Sequence, residues 1–539
     1  MSAGVTPAAA LAFPACGAAR CFVLLAWLLA CLPVAASGLP DRLQGLDAEV
    51  ERVRTTFDVP GIAIAIVKDG EVVLARGYGV RQAGRPEPVD ADTLFAIASI
   101  TKGFTSAALS ILADEGRLSM DDRVLDHLPW FRMSDPYITR EMRIRDLLVH
   151  RSGLGLGAGD LLFWPATTYS TREVVERLAH VPIAGGFRDR YAYDNILYAV
   201  AQMVIEEASG QAYADFVRDR IFTPAGMHAS RINSDALQPG DAAATGHARP
   251  GFAGPPVPVA PLTWSNNSAA GGIYSSARDM ARWMQVQLAG GRLGNGEQLF
   301  SEGRQRAMWS VVTPIAIAEP AVAELAPMRP NFAGYGEAWS LSDYRGRKLV
   351  WHTGGWPGMV SRLTLVPELG LGVVVLTNQE TGAAFNALTL QVLDAWLEAP
   401  ATDWVAAYAA AVAKQGDKAA DDWAAHLASR ATASKPSLPL DGYAGNYRDP
   451  WYGDVAIARA VAGLEIRFAK TPQLVGDLEH WQHDTFLVRW RERTLNADAF
   501  LAFALTPDGG IREVRMEAVS PQTDFSFDFQ DLRLAPLAP

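Results

Sequence analysis

Residues 61–80, GIAIAIVKDGEVVLARGYGV, hold two apolar runs rich in Val and Ile on either side of Asp69-Gly70, a hairpin turn signal, and predict two paired strands. After a Pro-containing loop comes TLFAIASITKGFTSAALSILADEG. From Ser99 onward Phe104, Ala107, Ala108, Ile111 and Leu112 recur at helical spacing, and Gly116 is a common stop residue. A helix this apolar on most faces belongs in a domain centre. From about 140 to 300, IRDLLVH, TREVVERLAHV, NILYAVAQMVIEEASG and ARDMARWMQVQLAGG carry the 3.6 period and predict helices, separated by Pro and Gly runs such as 249–261. Strands return at 360–366 and 371–377, in VSRLTLVPELGLGVVVLTNQ. A sheet built from both ends of this region, with helices on it and beside it, buries these faces in the simplest way. Residues 401–435 are Ala- and Lys-rich and end in ASKPSLPL. Beyond about 438, YAGNYRD, GDVAIARAV, GLEIRFA, FLVRWRE, AFLAFALT and FSFDFQDLRL read as short alternating strands of a small barrel or sandwich.

The N-terminus has its own pattern. Arg20 is the only charged residue before Asp41, and it precedes CFVLLAWLLACLPV, an apolar run of 14 residues, and then AASG. This predicts a secretory signal over 1–37, cleaved near Ala36 or Ser37, and a secreted or periplasmic protein. The run is shorter than the ~20 residues a membrane span needs. Leu28-Leu29-Ala30-Cys31 resembles a bacterial lipoprotein cleavage box, so a lipid anchor on Cys31 is the alternative. No second long apolar run follows, so no transmembrane segment is expected in the mature chain. The expected layout is a leader at 1–37, a catalytic domain at 38–398, a helical or linker segment at 399–437 and a β-domain at 438–539.

Composition removes whole classes. The 539 residues are 49% hydrophobic and 20% charged, which fits two or three globular domains. With 48 basic and 59 acidic residues the net charge is -11, which argues against nucleic acid as a partner. All three cysteines, Cys16, Cys21 and Cys31, precede the body of the protein. The body therefore has no disulfide framework, no Cys-based metal site and no cysteine nucleophile. His480 and His483 lie three apart with no further ligand evident, so neither a metal nor a cofactor is expected.

The candidate chemistry begins at Ser99-Ile100-Thr101-Lys102. Residues three apart share a helix face. A serine hydroxyl is a poor nucleophile until a base takes its proton. A lysine serves as that base only when burial and the positive end of a helix lower its pKa. Alone, the spacing also fits a capping Ser and a surface Lys. Two further motifs follow in order: Tyr193-Asp194-Asn195 before a predicted helix, and His352-Thr353-Gly354-Gly355 before a predicted strand. The ordered trio is the signature of penicillin-recognising serine enzymes.

On these motifs, and on LFAIASITKGFTSAAL, DRVLDHLP, IRDLLVHRSGL, GGIYSSARDMARWM and HTGGWPGMVSRLTLVPELGLGVVVLTN, the chain resembles the class C β-lactamase-like serine hydrolases across roughly 45–395. That family includes D-stereospecific peptidases and family VIII-type esterases. The resemblance implies an α/β fold, an antiparallel sheet flanked by helices with a helical subdomain. It implies that Ser99 attacks a carbonyl carbon, that Lys102 and Tyr193 share the proton transfers, and that Asn195 binds the substrate amide or orients Lys102. The N–H groups of Ser99 and Gly355 would hold the oxyanion. Thr353, Gly354 and Trp356 would line the substrate site; Trp164 and Trp264 are weaker candidates. The substrate is then a small molecule or peptide, of cell-wall origin on one reading.

One position departs from the pattern. The third motif of β-lactamases usually starts with Lys, and here it is His352, largely neutral above pH ~6.5. This favours a peptidase or esterase over a true β-lactamase, with His352 polarising the pocket or positioning Tyr193 or substrate. His150 is expected to fix the loop carrying Ser152 and Gly153. The C-terminal region, through LDGYAGNYRD, YGD and LEHWQHDTF, resembles a lipocalin-like β-barrel. A non-catalytic binder of cell-wall fragments is the other class of reading, and it predicts damage at the Ser, Lys or Tyr positions, all of which are intact.

Overall fold

Asp69 and Gly70 both have positive φ, 51° and 83°, so the chain reverses in two residues between Gly61–Lys68 (β1) and Glu71–Gly79 (β2). The computed structural model describes residues 41–461 and 463–537; the predicted leader and Cys31 lie outside the described residues. Six further strands complete the first sheet. They are Thr313–Pro314 (β3), Ala333–Tyr335 (β4), Ser340–Tyr344 (β5), Arg347–Trp356 (β6), Met359–Val366 (β7) and Leu371–Thr377 (β8). Their spatial order is β2-β1-β8-β7-β6-β5-β4-β3, antiparallel throughout. The two ends of the region meet at β1 and β8, where Ile62 stands opposite Thr377 and Lys68 opposite Leu371.

β8 is buried at every residue and β1 at all but its last, so both faces of the sheet are covered. The covering helices are among the following: Leu46–Phe57 (α1), Thr101–Asp114 (α2), Thr171–Arg177 (α3), Ile196–Ser209 (α4), Ala277–Leu288 (α5), Gly382–Leu397 (α6) and Trp404–Ser429 (α7). α5 and α6 both pack on β8, and α1 and α7 pack on α6. α2 lies in the core with every residue from Thr101 to Leu112 buried; Phe104 stacks on Trp283 of α5 at 4.0 Å. Gly116, at φ 69°, follows its end.

Two local readings change. Ser99 does not begin the α-helix but sits in a short 3-10 turn, Ala98–Ile100, in front of it. IRDLLVH forms a five-residue 3-10 turn, Ile144–Leu148, because the buried Asp146 carboxylate accepts from Arg143 N–H and is held by Arg188. Within 399–437, α7 buries Trp404, Val405, Ala407 and Tyr408.

The C-terminal strands are Gly445–Asp449 (β9), Gly453–Ala460 (β10), Gly463–Phe468 (β11), Val475–Gln482 (β12), Thr485–Trp490 (β13), Ala499–Leu505 (β14), Ile511–Ala518 (β15) and Ala535–Pro536 (β16). Consecutive strands from β9 to β15 pair as neighbours, β16 returns to β9, and a bridge from Leu534 to Val514 of β15 makes a nearly closed barrel. Tyr443, Phe468, Phe486, Trp490, Phe503 and Phe529 fill it. The barrel is fastened to the helical region: Arg177 donates to Trp451 O at 2.8 Å, and Thr168 N–H to Lys470 O at 2.9 Å. No helix among the described residues is long and apolar enough to cross a membrane.

Candidate active site

Ser99 is held in place by its neighbours in the chain and across the sheet. Residues 95–96 pair with 274–275, Ile97 N–H donates to Ile273 O at 2.9 Å, and Ser361 Oγ of β7 donates to Ile97 O at 2.9 Å. Ala98 then takes φ 46°, a conformation unusual for a residue with a Cβ, worth roughly 1–3 kcal/mol of strain. That turn presents Ser99, half-buried, above the first turn of α2.

Lys102 lies fully buried beneath it. Its Nζ donates to Ser99 Oγ at 3.0 Å, Asn195 Oδ1 at 2.7 Å and Ala270 O at 2.9 Å. Burial brings its pKa down to about 7, against the opposing pull of Asp160 and Asp194. The amine is thus a base available near neutral pH. Nζ also sits 4.9 Å from the ring centre of Tyr193 and 5.0 Å from that of Tyr198.

Tyr193 precedes α4, with Asn195 at the helix N-cap. Burial holds the phenol pKa well above the usual value, against a lowering pull from the Ser99 hydroxyl, so it is neutral at physiological pH. His150 Nδ1 accepts from Asp194 N–H at 3.2 Å, and its ring lies 4.1 Å from that of Tyr193. Ser152 Oγ donates to Asp194 Oδ2 at 3.1 Å. His150 therefore ties the Ser152 loop to the Tyr-Asp-Asn segment.

The third motif lies on β6. His352 Nδ1 bonds Thr353 O at 2.5 Å, so it carries the proton, and Nε2 accepts from Tyr335 OH at 2.8 Å. Burial and the Lys102 charge lower the His352 pKa to about 3, so the ring is neutral. Thr353 is half-buried beside it. Gly354 backs onto the turn that carries Ser99: a Cβ there would stand 2.1 Å from Ile97 O and 2.5 Å from Ser361 Oγ. Gly355 is exposed, with nothing within 4 Å of where a Cβ would be. Trp356 is buried in a cluster with Trp264 (5.4 Å between rings) and Trp164 (6.0 Å). Gly354→Ala is expected to separate β6 from the turn carrying Ser99. Shifting strand and turn against each other in this way should slow labelling of Ser99 by a fluorophosphonate by about 100-fold, and calorimetry should show a lower Tm.

Sequence reasoning missed Asp160, Tyr335, Ser526 and Asp528. Asp160 is fully buried, and its Oδ2 accepts from Asn195 Nδ2 at 2.8 Å and from Ser526 Oγ at 2.8 Å. An acid inside the apolar run LGLGAGDLLFW was the one available signal, whereas Ser526 lies 366 positions away. His480 Nε2 pairs with His483 O at 2.9 Å. Among the described residues no group of three or more His, Cys, Asp or Glu is placed to hold a metal ion.

Residues 46–395 match the family model described as Beta-lactamase, and residues 429–536 match one described as a domain of unknown function (DUF3471). The unguisins hydrolase ungD' of Aspergillus campestris (strain IBT 28561) is 29% identical over 497 residues, covering 85% of this chain and 87% of that protein. The octameric penicillin-binding protein homologue from Pyrococcus abyssi superposes with a TM-score of 0.56 at 20% identity, over 91% of this chain and 99% of that one. The D-amino acid amidase from Ochrobactrum anthropi SV3, complexed with L-phenylalanine amide, gives 0.55 at 23% identity, over 67% and 99%. Both likenesses are of fold.

Proposed function

Because the chain belongs to the Beta-lactamase family of serine hydrolases, we propose that it cleaves an ester or amide bond through an acyl-enzyme on Ser99. The observation that carries this is Lys102 Nζ, fully buried and 3.0 Å from Ser99 Oγ, where burial lowers its pKa to about 7. In the proposed cycle neutral Lys102 takes the Ser99 proton as Oγ adds to the carbonyl carbon. The N–H groups of Ser99 and Gly355 bind the oxyanion. Tyr193, neutral and interacting with the Ser99 hydroxyl, passes the proton from Lys102 toward the leaving group, and water then releases the acyl group by the reverse path. Lys102 is the base by magnitude, because a catalytic base works best with a pKa near the working pH.

The neutral His352 supports a peptidase or esterase over a β-lactamase, since it offers no cation to a substrate carboxylate. Trp356, with Trp264 and Trp164 behind it, would give the substrate an apolar wall. The likeness to an unguisins hydrolase over most of both chains supports hydrolysis as the activity. Export through the leader at 1–37 belongs to the same reading.

The test is a hydrolysis panel: p-nitrophenyl acetate and butyrate, D- and L-alanine p-nitroanilide, and nitrocefin. The acylation rate should rise with pH through about 7, because only neutral Lys102 can accept the proton. The preferred substrate then separates esterase, peptidase and lactamase. A folded protein silent across the whole panel would sink the reading.

A further inference from the structure

The C-terminal barrel does more than rest on the hydrolase domain. Between β15 and Phe529, residues 525–528 reach into the wall of the site. The Phe525 ring meets the Tyr193 ring edge-on at 5.8 Å. Ser526 Oγ donates to Asp160 Oδ2 at 2.8 Å. The Asp528 carboxylate accepts from Gly159 N–H at 2.6 Å and from Leu161 N–H at 3.2 Å, gripping the backbone on both sides of Asp160. Gly157, at φ 69°, permits the approach: a Cβ there would stand 2.5 Å from Phe525 O.

We propose that Asp160 is a positioning residue for the Asn195–Lys102 pair, and that Ser526, supplied by the barrel, holds Asp160 to that task. The proposal rests on the acyl-enzyme reading above. An asparagine amide has an accepting and a donating end, and nothing in its shape distinguishes them. Lys102 Nζ needs the accepting end, at 2.7 Å. That orientation is fixed from behind, where Asn195 Nδ2 donates to Asp160 Oδ2. Oδ2 receives two donors, while Oδ1 is buried without a partner. Any proton on Asp160 therefore sits on Oδ1, and Oδ2 remains an acceptor in both protonation states. A flipped Asn195 would set two acceptors against each other at Asp160 and two donors at Lys102.

The charged and titratable groups around the pair come from every side. Asp194, Tyr193 and Tyr198 come from the start of α4, His150 from the loop after the 3-10 turn Ile144–Leu148 and His352 from β6. Asp528, with Asp531 behind it, comes from the barrel. Burial pushes Asp160 up to about 8, and the hydrogen bonds from Asn195 and Ser526 oppose that rise. Asp160, to the extent that it is ionised, supports the Lys102 charge, so the protons of the two belong to the pair. Removing Asp160 should let Lys102 lose its proton at lower pH. Removing the Ser526 hydroxyl should act in the same direction more weakly. A purely structural contact would change stability and the folded fraction, but not the pH at which Ser99 becomes nucleophilic.

The experiment follows phosphonylation of Ser99 by a fluorophosphonate on the full chain from pH 5 to 9, with active sites counted at the end point. Asp160→Asn should lower the half-maximal pH by about half a unit and the plateau rate about 10–100-fold. Ser526→Ala should shift both the same way by less, and Ser526→Thr, which keeps the hydroxyl, should restore the parent profile. A labelled parent with unchanged half-maximal pH and plateau in Asp160→Asn and Ser526→Ala overturns the proposal. If Asp160→Asn does not fold, the Ser526 pair decides alone: a parent-like profile in Ser526→Ala overturns it. A parent that no phosphonate labels overturns the acyl-enzyme reading itself, and this proposal with it.

Discussion

Ser99→Ala is expected to lower kcat by about 10⁵–10⁶-fold and to abolish phosphonate labelling, with Tm close to that of the parent. Ser99 is half-buried and its hydroxyl accepts from Lys102 and interacts with Tyr193, both assigned to the proposed proton transfers, so its loss leaves the packing of the turn in place. The backbone N–H at position 99 survives the substitution, and any residual rate over water would come from it and from binding. Labelling that persisted in the variant would show that another residue is the nucleophile. Active-site titration beside circular dichroism reads both halves of the expectation.

Lys102→Met is the second large effect. The thioether matches the length of the lysine stem but removes the base, and kcat/KM should fall about 10³–10⁴-fold. The limb near pH 7 should vanish from the pH profile, because the group that titrates there is gone. Stability should change less than the rate does. Asn195 Oδ1 and Ala270 O each lose a donor, at about 1–3 kcal/mol apiece, while an expensive buried amine is removed. Calorimetry and stopped-flow labelling on one preparation separate the two. A variant that kept the limb would place the titrating base elsewhere.

The parts of the molecule legible in the sequence are those in which local pattern and tertiary environment agree. The run GIAIAIVK is a strand in either setting, and 371–377 is found with the bounds its apolar pattern predicts. That Ser99, Lys102 and Asn195 come together was legible because two of them lie one helical turn apart and the third sits at a helix start, where a side chain is held firmly. IRDLLVH was misread because its helical period is only five residues long and the buried Asp146 competes for the backbone. Asp160 and Ser526 carry no local signature. Each is an ordinary polar residue until a fold brings them within 2.8 Å across 366 positions. The tautomer of His352 also depended on the structure, since Tyr335 and the carbonyl of Thr353 fix which nitrogen carries its proton.

The closure of the first sheet has a consequence for how the protein is born. β1 can be paired by β2 as soon as the hairpin emerges, but its other edge waits for β8. The Gly61 N–H to Asn378 Oδ1 bond at that seam joins residues 317 positions apart. At a synthesis rate of about 5–20 residues per second, the ribosome takes roughly 15–60 s to deliver the missing neighbour. Through that interval a strand of Ile, Val and Ala offers open backbone groups to any other chain in the same condition, and pairings of such long range are slow even once both strands exist. Yield during expression should therefore be governed by how well the nascent chain is shielded, by chaperones or by low temperature, more than by the stability of the finished fold.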